Sequence, residues 1–245
     1  ALREYTNVFL NQNDYLDSLD LIHTLRKRFP VYSLEGRVGE IDGVAGAGKK
    51  VAVTFDDGPR YPYTTRILDL LKTYEARGTF FVVGKMARLN PDLVRLISAS
   101  GHELAGHSYS HRHMTDLTET EVEDEILRTE VAVREIVDQQ IHYFRPPGGH
   151  YDARVKRAVE NLGYRAVFWG PNITSFTDLK PDETARELLK RVTPGCILLL
   201  HNGEDQTLPV LPKLLAGLKK SGFEMVTLTE LLNSGKPIKR KFKWE

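Results

Sequence analysis

The sequence has little of the chemistry that defines several protein classes. Its 245 residues contain one cysteine, Cys196, which excludes a disulfide framework within the chain. This cysteine lies in the apolar run 196–200, where a buried core thiol is favoured over a nucleophile. No apolar run approaches the length that spans a bilayer, so no integral membrane segment is predicted.

Charge of one sign is also not in excess. The formal net charge is +1, which gives no reason to expect nucleic acid as a partner. The C-terminal tail, residues 235–245, is basic; a solvated terminus is the favoured interpretation, and contact with an anionic polymer is the alternative. The first residues contain no basic segment followed by an apolar one, so we expect no signal peptide in this chain.

What the sequence does contain is an alternation of strand and helix patterns. Apolar runs typical of buried strands include residues 51–55, 79–83, 164–169, 196–200 and 223–227. Residues at helical spacing lie between them, and one long helix is predicted to start at the capping box formed by Thr118 and Glu121. This order is typical of a mostly parallel sheet covered by helices, and the chain length suits one α/β barrel.

Two short motifs carry candidate metal ligands. Asp56 and Asp57 follow directly after the predicted strand 51–55, at the carboxyl end where α/β folds keep their functional residues. His107 and His111 are four residues apart, which places them on one face if the segment makes a helical turn. One carboxylate and two imidazoles suit zinc or a similar transition metal, and the second aspartate remains available as a base.

Taken singly, each motif also fits a solvated turn or a chance pair of surface histidines. With three further segments, however, they resemble the polysaccharide deacetylases of the NodB homology type, carbohydrate esterase family 4. The resemblance runs from about Lys49 to about Leu232. The segments that carry it are residues 54–59, 107–111, 145–149, the region around Trp169, and residues 198–201.

This resemblance implies a distorted (β/α) barrel of about seven parallel strands with an N-terminal extension. Residues 1–48 are then the extension, residues 49–234 the catalytic domain and residues 235–245 the tail. Apolar residues at helical spacing between Tyr15 and Phe29 predict an amphipathic helix in the extension, which we expect to pack on the barrel.

The resemblance also implies roles for the matched residues. The expected ligands of a divalent metal are Asp57, His107 and His111. Zinc is the preferred ion, with cobalt, nickel and manganese as alternatives. Asp56 is the expected general base and Arg145 the cation that keeps it charged and oriented. His201 is the expected general acid.

Three further residues are expected to contact the substrate. The backbone N–H near Gly148 is expected to help hold the oxyanion, and Trp169 is expected to line the groove. Leu199, two residues before His201, is expected to line a small pocket for the acetyl methyl group. As isolated residues, His201 after an apolar strand also fits a structural role, and Arg145 also fits a surface cation.

The sequence departs from the family pattern at two positions. Gly148 stands where many members have tyrosine, which removes a side chain from the groove. Asn172 stands where the family often has an aspartate that tunes the catalytic histidine. An amide does not favour imidazolium as a carboxylate does, so we expect a weaker acid in His201 unless Asp178 reaches in from the loop.

The expected activity is therefore that of a metal-dependent hydrolase of carbon–nitrogen bonds other than peptide bonds. It would remove acetyl groups from N-acetylated sugars of a polysaccharide, with peptidoglycan or a chitin-like oligomer as substrate. An O-acetyl xylan esterase of the same family and a wall-glycan-binding protein with weak or no turnover are the alternatives. The family implies a secreted or cell-envelope location.

Overall fold

The computed structural model describes residues 39–240. The helix predicted between Tyr15 and Phe29 lies outside the described residues. The strands are β1 (Ile41–Ala45), β2 (Lys50–Asp56), β3 (Thr79–Val82), β4 (Glu103–Gly106), β5 (Tyr143–Phe144), β6 (Arg165–Ala166), β7 (Ile197–His201), β8 (Glu224–Val226) and β9 (Lys236–Lys239).

Helices follow most of the strands. They are α1 (Tyr63–Thr73), α2 (Gly84–Leu89), α3 (Pro91–Ala99), α4 (Glu119–Val137), α5 (Ala153–Asn161), α6 (Pro181–Arg191), α7 (Thr207–Lys220) and α8 (Leu228–Asn233). Short 3₁₀ turns occur at Met114–Asp116, Pro147–Gly149 and Ile173–Phe176. Helix α2 lies between β3 and α3 and was not predicted from the sequence.

In the described part of the chain, β2 to β8 form one parallel sheet of seven strands. The order is β6-β5-β4-β3-β2-β7, and β8 pairs with the first half of β2. The segment after β6 closes the gap to β7, because Gly170 N–H donates to Ile197 O (3.0 Å) and Leu199 N–H donates to Pro171 O (3.0 Å). The predicted distorted (β/α) barrel is confirmed.

Strand β2 positions the residues that matter for function. Its residues after Lys50 are all buried, as expected of a strand covered on both faces. Its register with β7 pairs Thr54 with Leu199 and Asp56 with His201. Paired residues of parallel strands point to the same face, so these four side chains share one side of the sheet.

Helix α4 begins where the sequence predicts. Thr118 N–H donates to Glu121 Oε2 (2.8 Å), and Glu121 N–H donates to Thr118 Oγ1 (3.3 Å), which completes the capping box. The face that α4 turns inward carries Val122, Ile126 and Val133, all buried. A long helix is thereby held rigidly against the barrel.

The two ends of the described chain pair with each other. Strands β1 and β9 form an antiparallel two-stranded sheet, in which Ile41 lies opposite Lys239. β1 also bonds to the barrel, since Val44 N–H donates to Gly195 O (2.8 Å) and Phe168 N–H donates to Ile41 O (2.7 Å). β1 lies within the predicted N-terminal extension and β9 within the predicted C-terminal tail, so backbone hydrogen bonds join these two regions. The side chains of β9 are exposed.

Candidate active site

The turn after β2 directs its two aspartates differently. Asp56 is the last, buried residue of the strand, and Asp57 adopts a positive φ of 73°. Asn202 supports the turn from behind: its N–H donates to Asp56 O (2.7 Å), and a Cβ at Gly58 would lie 2.2 Å from Asn202 Nδ2. The turn therefore needs glycine at 58 and leaves Asp57 half-buried at the mouth of the barrel.

The two histidines lie on a loop and not on a helical turn. Strand β4 ends at Gly106, and Ser108 and His111 both have positive φ angles, 60° and 62°. The chain folds back on itself, so that the rings of His107 and His111 meet edge to face with centroids 5.1 Å apart. The two imidazoles thus come together through a tight loop and not through the helical turn that their spacing suggested.

A buried carboxylate from α4 holds this loop in shape. Glu125 Oε2 accepts hydrogen bonds from Tyr109 N–H (2.8 Å) and Ser110 N–H (2.7 Å), and Glu125 Oε1 accepts one from Ser110 Oγ (2.5 Å). Sequence reasoning missed Glu125. The signal was an acidic residue on the apolar face of a predicted helix, next to Ile126, where a carboxylate needs partners.

Three side chains converge with the geometry of a metal-ligand set. Asp57 Oδ1 lies 3.0 Å from His111 Nε2 and 3.4 Å from His107 Nε2. Ligands that each lie about 2.1 Å from one Zn²⁺ at tetrahedral or octahedral angles are about 3.0–3.4 Å apart. His107 Nδ1 donates to the Arg145 carbonyl (2.8 Å), so in the neutral ring Nε2 carries the lone pair that a metal ion binds. The residues present fit a divalent transition metal.

The protonation of Asp57 agrees with that use. Burial raises the pKa of its carboxyl group, but hydrogen bonds from His107 and His111 outweigh burial and hold the pKa well below its usual range. The hydrogen bond with Asp57 raises the pKa of His111 in turn. Asp57 is therefore a carboxylate near neutral pH, the form that binds metal ions.

Arg145 fixes Asp56 from inside the barrel. Its side chain is 0% exposed, and Nη1 donates to Asp56 Oδ1 (2.7 Å) and Thr54 Oγ1 (2.9 Å). Burial lowers the pKa of Arg145, and the neighbouring Asp56 offsets part of this effect. The second carboxylate oxygen, Asp56 Oδ2, lies 3.7 Å from His107 Nε2 and faces the metal-ligand set. Arg145 thus holds Oδ1 of Asp56, and Oδ2 remains directed towards the metal-ligand set.

The remaining guanidinium contacts keep Arg145 in one orientation. Nε donates to Val167 O (3.2 Å) and Nη2 to Phe168 O (3.3 Å), both on the chain that follows β6. The guanidinium carbon lies 4.0 Å from the centroid of the Phe81 ring, a cation–π distance. The alternative prediction, that Arg145 is only a surface cation, is therefore wrong.

His201 ends β7 beside Asp56, and its side chain is 14% exposed. The carboxylate beside it is Glu204, with Oε2 3.5 Å from His201 Nδ1. Asn172 Oδ1 instead accepts a hydrogen bond from Thr174 N–H (3.0 Å), and Asp178 is exposed. Sequence reasoning weighed Asn172 and Asp178 as partners of His201 and did not single out Glu204.

The expected substrate residues lie around this centre. Leu199 is buried on the same face of β7 as His201. Gly148 is exposed with a φ of 62°, in the left-handed region that favours glycine. Trp169 is half-buried, and its ring covers the adjoining turn so closely that a Cβ at Gly149 would lie 2.9 Å from Trp169 Cη2.

A parallel barrel with two aspartates and two histidines at its carboxyl edge is an arrangement that suits a hydrolase with a metal site. Comparison with known proteins identifies the family. The family model described as "Polysaccharide deacetylase" matches residues 43–167. The chain belongs to the polysaccharide deacetylase family, as its motifs indicated. The named deacetylases among the similar proteins confirm the predicted enzyme class, a hydrolase of carbon–nitrogen bonds other than peptide bonds.

Similar proteins come from several bacteria. A peptidoglycan-N-acetylglucosamine deacetylase of Bacillus cereus is 34% identical over 189 residues, covering 75% of this chain and 88% of its own. A chitooligosaccharide deacetylase of Bradyrhizobium is 30% identical, covering 82% of this chain and 97% of its own. The crystal structure of a CE4 family pseudoenzyme from Bacillus anthracis is 25% identical, with a TM-score of 0.75, covering 80% of this chain and 69% of its own.

Proposed function

We propose that this protein is a metal-dependent deacetylase that hydrolyses acetyl groups from N-acetylated sugars of a polysaccharide and releases acetate. One observation carries the proposal. Asp56, held through one oxygen by the buried Arg145, presents its other oxygen 3.7 Å from His107 in the set formed by Asp57, His107 and His111. A base next to three convergent metal ligands can hydrolyse an unreactive amide when a divalent metal is bound.

Asp57, His107 and His111 would hold the ion, with zinc as the preferred metal and cobalt, nickel or manganese as alternatives. When bound there, a divalent cation polarises the acetyl carbonyl group and favours ionisation of water. Asp56 would accept the proton of the attacking water through Oδ2. Arg145 would hold the carboxylate in place through Oδ1 during this transfer.

His201 would complete the reaction as the general acid. Addition of water to the acetyl carbon forms a carbon–oxygen bond, and the carbon–nitrogen bond then breaks as the sugar nitrogen takes a proton from His201. The products are acetate and the free amine. The backbone N–H near Gly148 would donate to the oxyanion, and Leu199 would contact the acetyl methyl group.

The comparisons support an N-acetylated glycan as substrate. Two of the similar proteins are named for peptidoglycan N-acetylglucosamine and for chitooligosaccharides, which share an N-acetylated hexosamine. None of the helices in residues 39–240 combines the length and the hydropathy that a membrane crossing requires. We infer a secreted or cell-envelope location from the cell-wall substrates of these relatives.

Acetate release is the measurement that tests the proposal. The protein is stripped with a chelator, reloaded with Zn²⁺ or Co²⁺, and incubated with chitooligosaccharides, peptidoglycan and acetylated xylan. We expect acetate from an N-acetylated polymer, loss of more than 90% of the rate on stripping, and recovery on reloading. Acetate from xylan alone would indicate the O-acetyl esterase. Metal binding without acetate from any polymer would leave the glycan-binding protein, and the similar CE4 family pseudoenzyme is a precedent for the loss of turnover.

The hydrogen bonds between Glu125 and the loop that carries His107 and His111 provide a second test, which concerns metal affinity. Replacing Glu125 with Gln removes one of the acceptor oxygens that hold Tyr109 and Ser110, so the two histidines lose part of their preorganisation. We expect Zn²⁺ affinity, measured by calorimetry, to fall about 10–100-fold.

Glu135→Gln is the matched control. It makes the same charge change on the same helix, but Glu135 pairs with Arg88 and not with the histidine loop. Unchanged Zn²⁺ affinity in Glu125→Gln, or an equal loss in the control, would contradict a positioning role for Glu125.

A further inference from the structure

We infer that Glu204 is the positioning residue for the general acid His201, in place of the aspartate that the family often supplies from the Asn172 position. The inference rests on the proposed function, because it assigns the partner of a residue in that reaction. It extends the function by naming a side chain outside the matched motifs that would set the rate of amine departure.

The two nitrogens of His201 have different surroundings. Nδ1 is buried and lies 3.5 Å from Glu204 Oε2, without making a hydrogen bond with it. No atom of residues 39–240 makes a hydrogen bond with Nδ1. With Nδ1 turned to the carboxylate, Nε2 is the nitrogen available to the substrate. A carboxylate that accepts a hydrogen bond from Nδ1 fixes the orientation of a catalytic imidazole.

The chain geometry explains why Glu204 can take this position. β7 ends at His201, and the next five residues form a turn before α7 begins at Thr207. His201 N–H donates to Thr207 Oγ1 (3.3 Å), which folds the turn back over the imidazole. Gly203, with a φ of 138°, lies within the turn and lets the chain reverse, so Glu204 comes to lie beside the ring.

The expected effect is moderate. Glu204 is 44% exposed, so solvent screens its charge, and the separation must shorten for a hydrogen bond to form. We expect Glu204→Gln to lower kcat for acetate release about tenfold and to leave KM within about twofold. A group that acts only on proton donation affects the chemical step and not ground-state binding.

Asp205 offers a matched control. It is the neighbouring acidic residue, it is exposed, and its Oδ1 accepts a hydrogen bond from Tyr63 Oη (2.5 Å). Asp205→Asn therefore removes the same charge one residue away without removing the partner of His201. We expect its kcat to equal that of the wild type.

The decisive experiment is a double-mutant cycle with the zinc-loaded full chain and a chitooligosaccharide substrate. Rates are measured for the wild type, Glu204→Gln, Asp205→Asn, His201→Ala, and the double variant with Glu204→Gln and His201→Ala. We expect Glu204→Gln to cost about tenfold in the wild type and less than about twofold once His201 is absent.

Either of two results would overturn the inference. One is an unchanged kcat in Glu204→Gln, and the other is an equal loss in both backgrounds, which is what a general loss of folded protein would produce. A wild type that releases no acetate would instead overturn the proposed function, and the inference with it. A loss in Asp205→Asn equal to that in Glu204→Gln would assign the effect to net charge and would also overturn the inference.

Discussion

Acetate release is expected to fall about 10²–10⁴-fold in Asp56→Asn, with zinc still bound, because an amide cannot accept the proton of the attacking water. Asp56 is not one of the three convergent ligands, so the metal site itself remains intact. The effect should appear in kcat and little in KM, since the base acts in the transition state. This is the largest effect on activity that the structure predicts from the loss of one charge.

The assay needs two accompanying measurements. Zinc stoichiometry by calorimetry shows that the site is still formed, and circular dichroism shows that the variant is folded, because Asp56 is also the anion beside the buried Arg145. Asp92→Asn is the matched control, since Asp92 is exposed and pairs with Arg95 on the surface of α3. If Asp56→Asn keeps more than about a tenth of the wild-type kcat, Asp56 is not the base.

Arg145→Met is expected to destabilise the fold by about 3–5 kcal/mol. The variant removes a cation that is completely buried and leaves the Asp56 carboxylate buried without its guanidinium partner. It also leaves the carbonyl groups of Val167 and Phe168 without their donors. Methionine fills a similar volume, so the expected loss arises from electrostatics and hydrogen bonding and not from a cavity.

Urea unfolding of the wild type and the variant measures this loss. Arg95→Met is the control, with an expected change within about 0.5 kcal/mol, because Arg95 is 55% exposed in its surface pair with Asp92. Adding Asp56→Asn to Arg145→Met should restore part of the stability, since no isolated charge then remains in the core. A loss below about 1 kcal/mol in Arg145→Met, or a further loss in the double variant, would show that the pair is not coupled in this way.

The fold was predictable because most elements carry their own local signal. The capping box at Thr118 started a helix where expected, and the apolar runs 51–55 and 196–200 became the adjacent strands β2 and β7. Helix α2 was missed, since its six residues are too few to establish a period. The pairing of β1 with β9 was also missed, because those strands are almost 200 residues apart in sequence.

The residues of the candidate site were predictable from the sequence, but the side chains that position them were less so. Both ligand motifs adjoin the strands that deliver them, so placing Asp57 and His107 at strand ends located them correctly. The helical turn considered for His107 and His111 did not form, because positive φ angles at Ser108 and His111 break it. A tight loop brings the rings together instead.

The sequence by itself determined the parallel α/β architecture and the family, and it predicted the ligand and base residues, because each follows from local patterning or from contiguous motifs. Only the tertiary structure decided which carboxylate holds the histidine loop and which lies beside His201. Glu125 reaches that loop from a helix 15 residues away, and Glu204 reaches His201 through a turn. Such contacts depend on loop geometry and helix placement, which no periodicity in the sequence records.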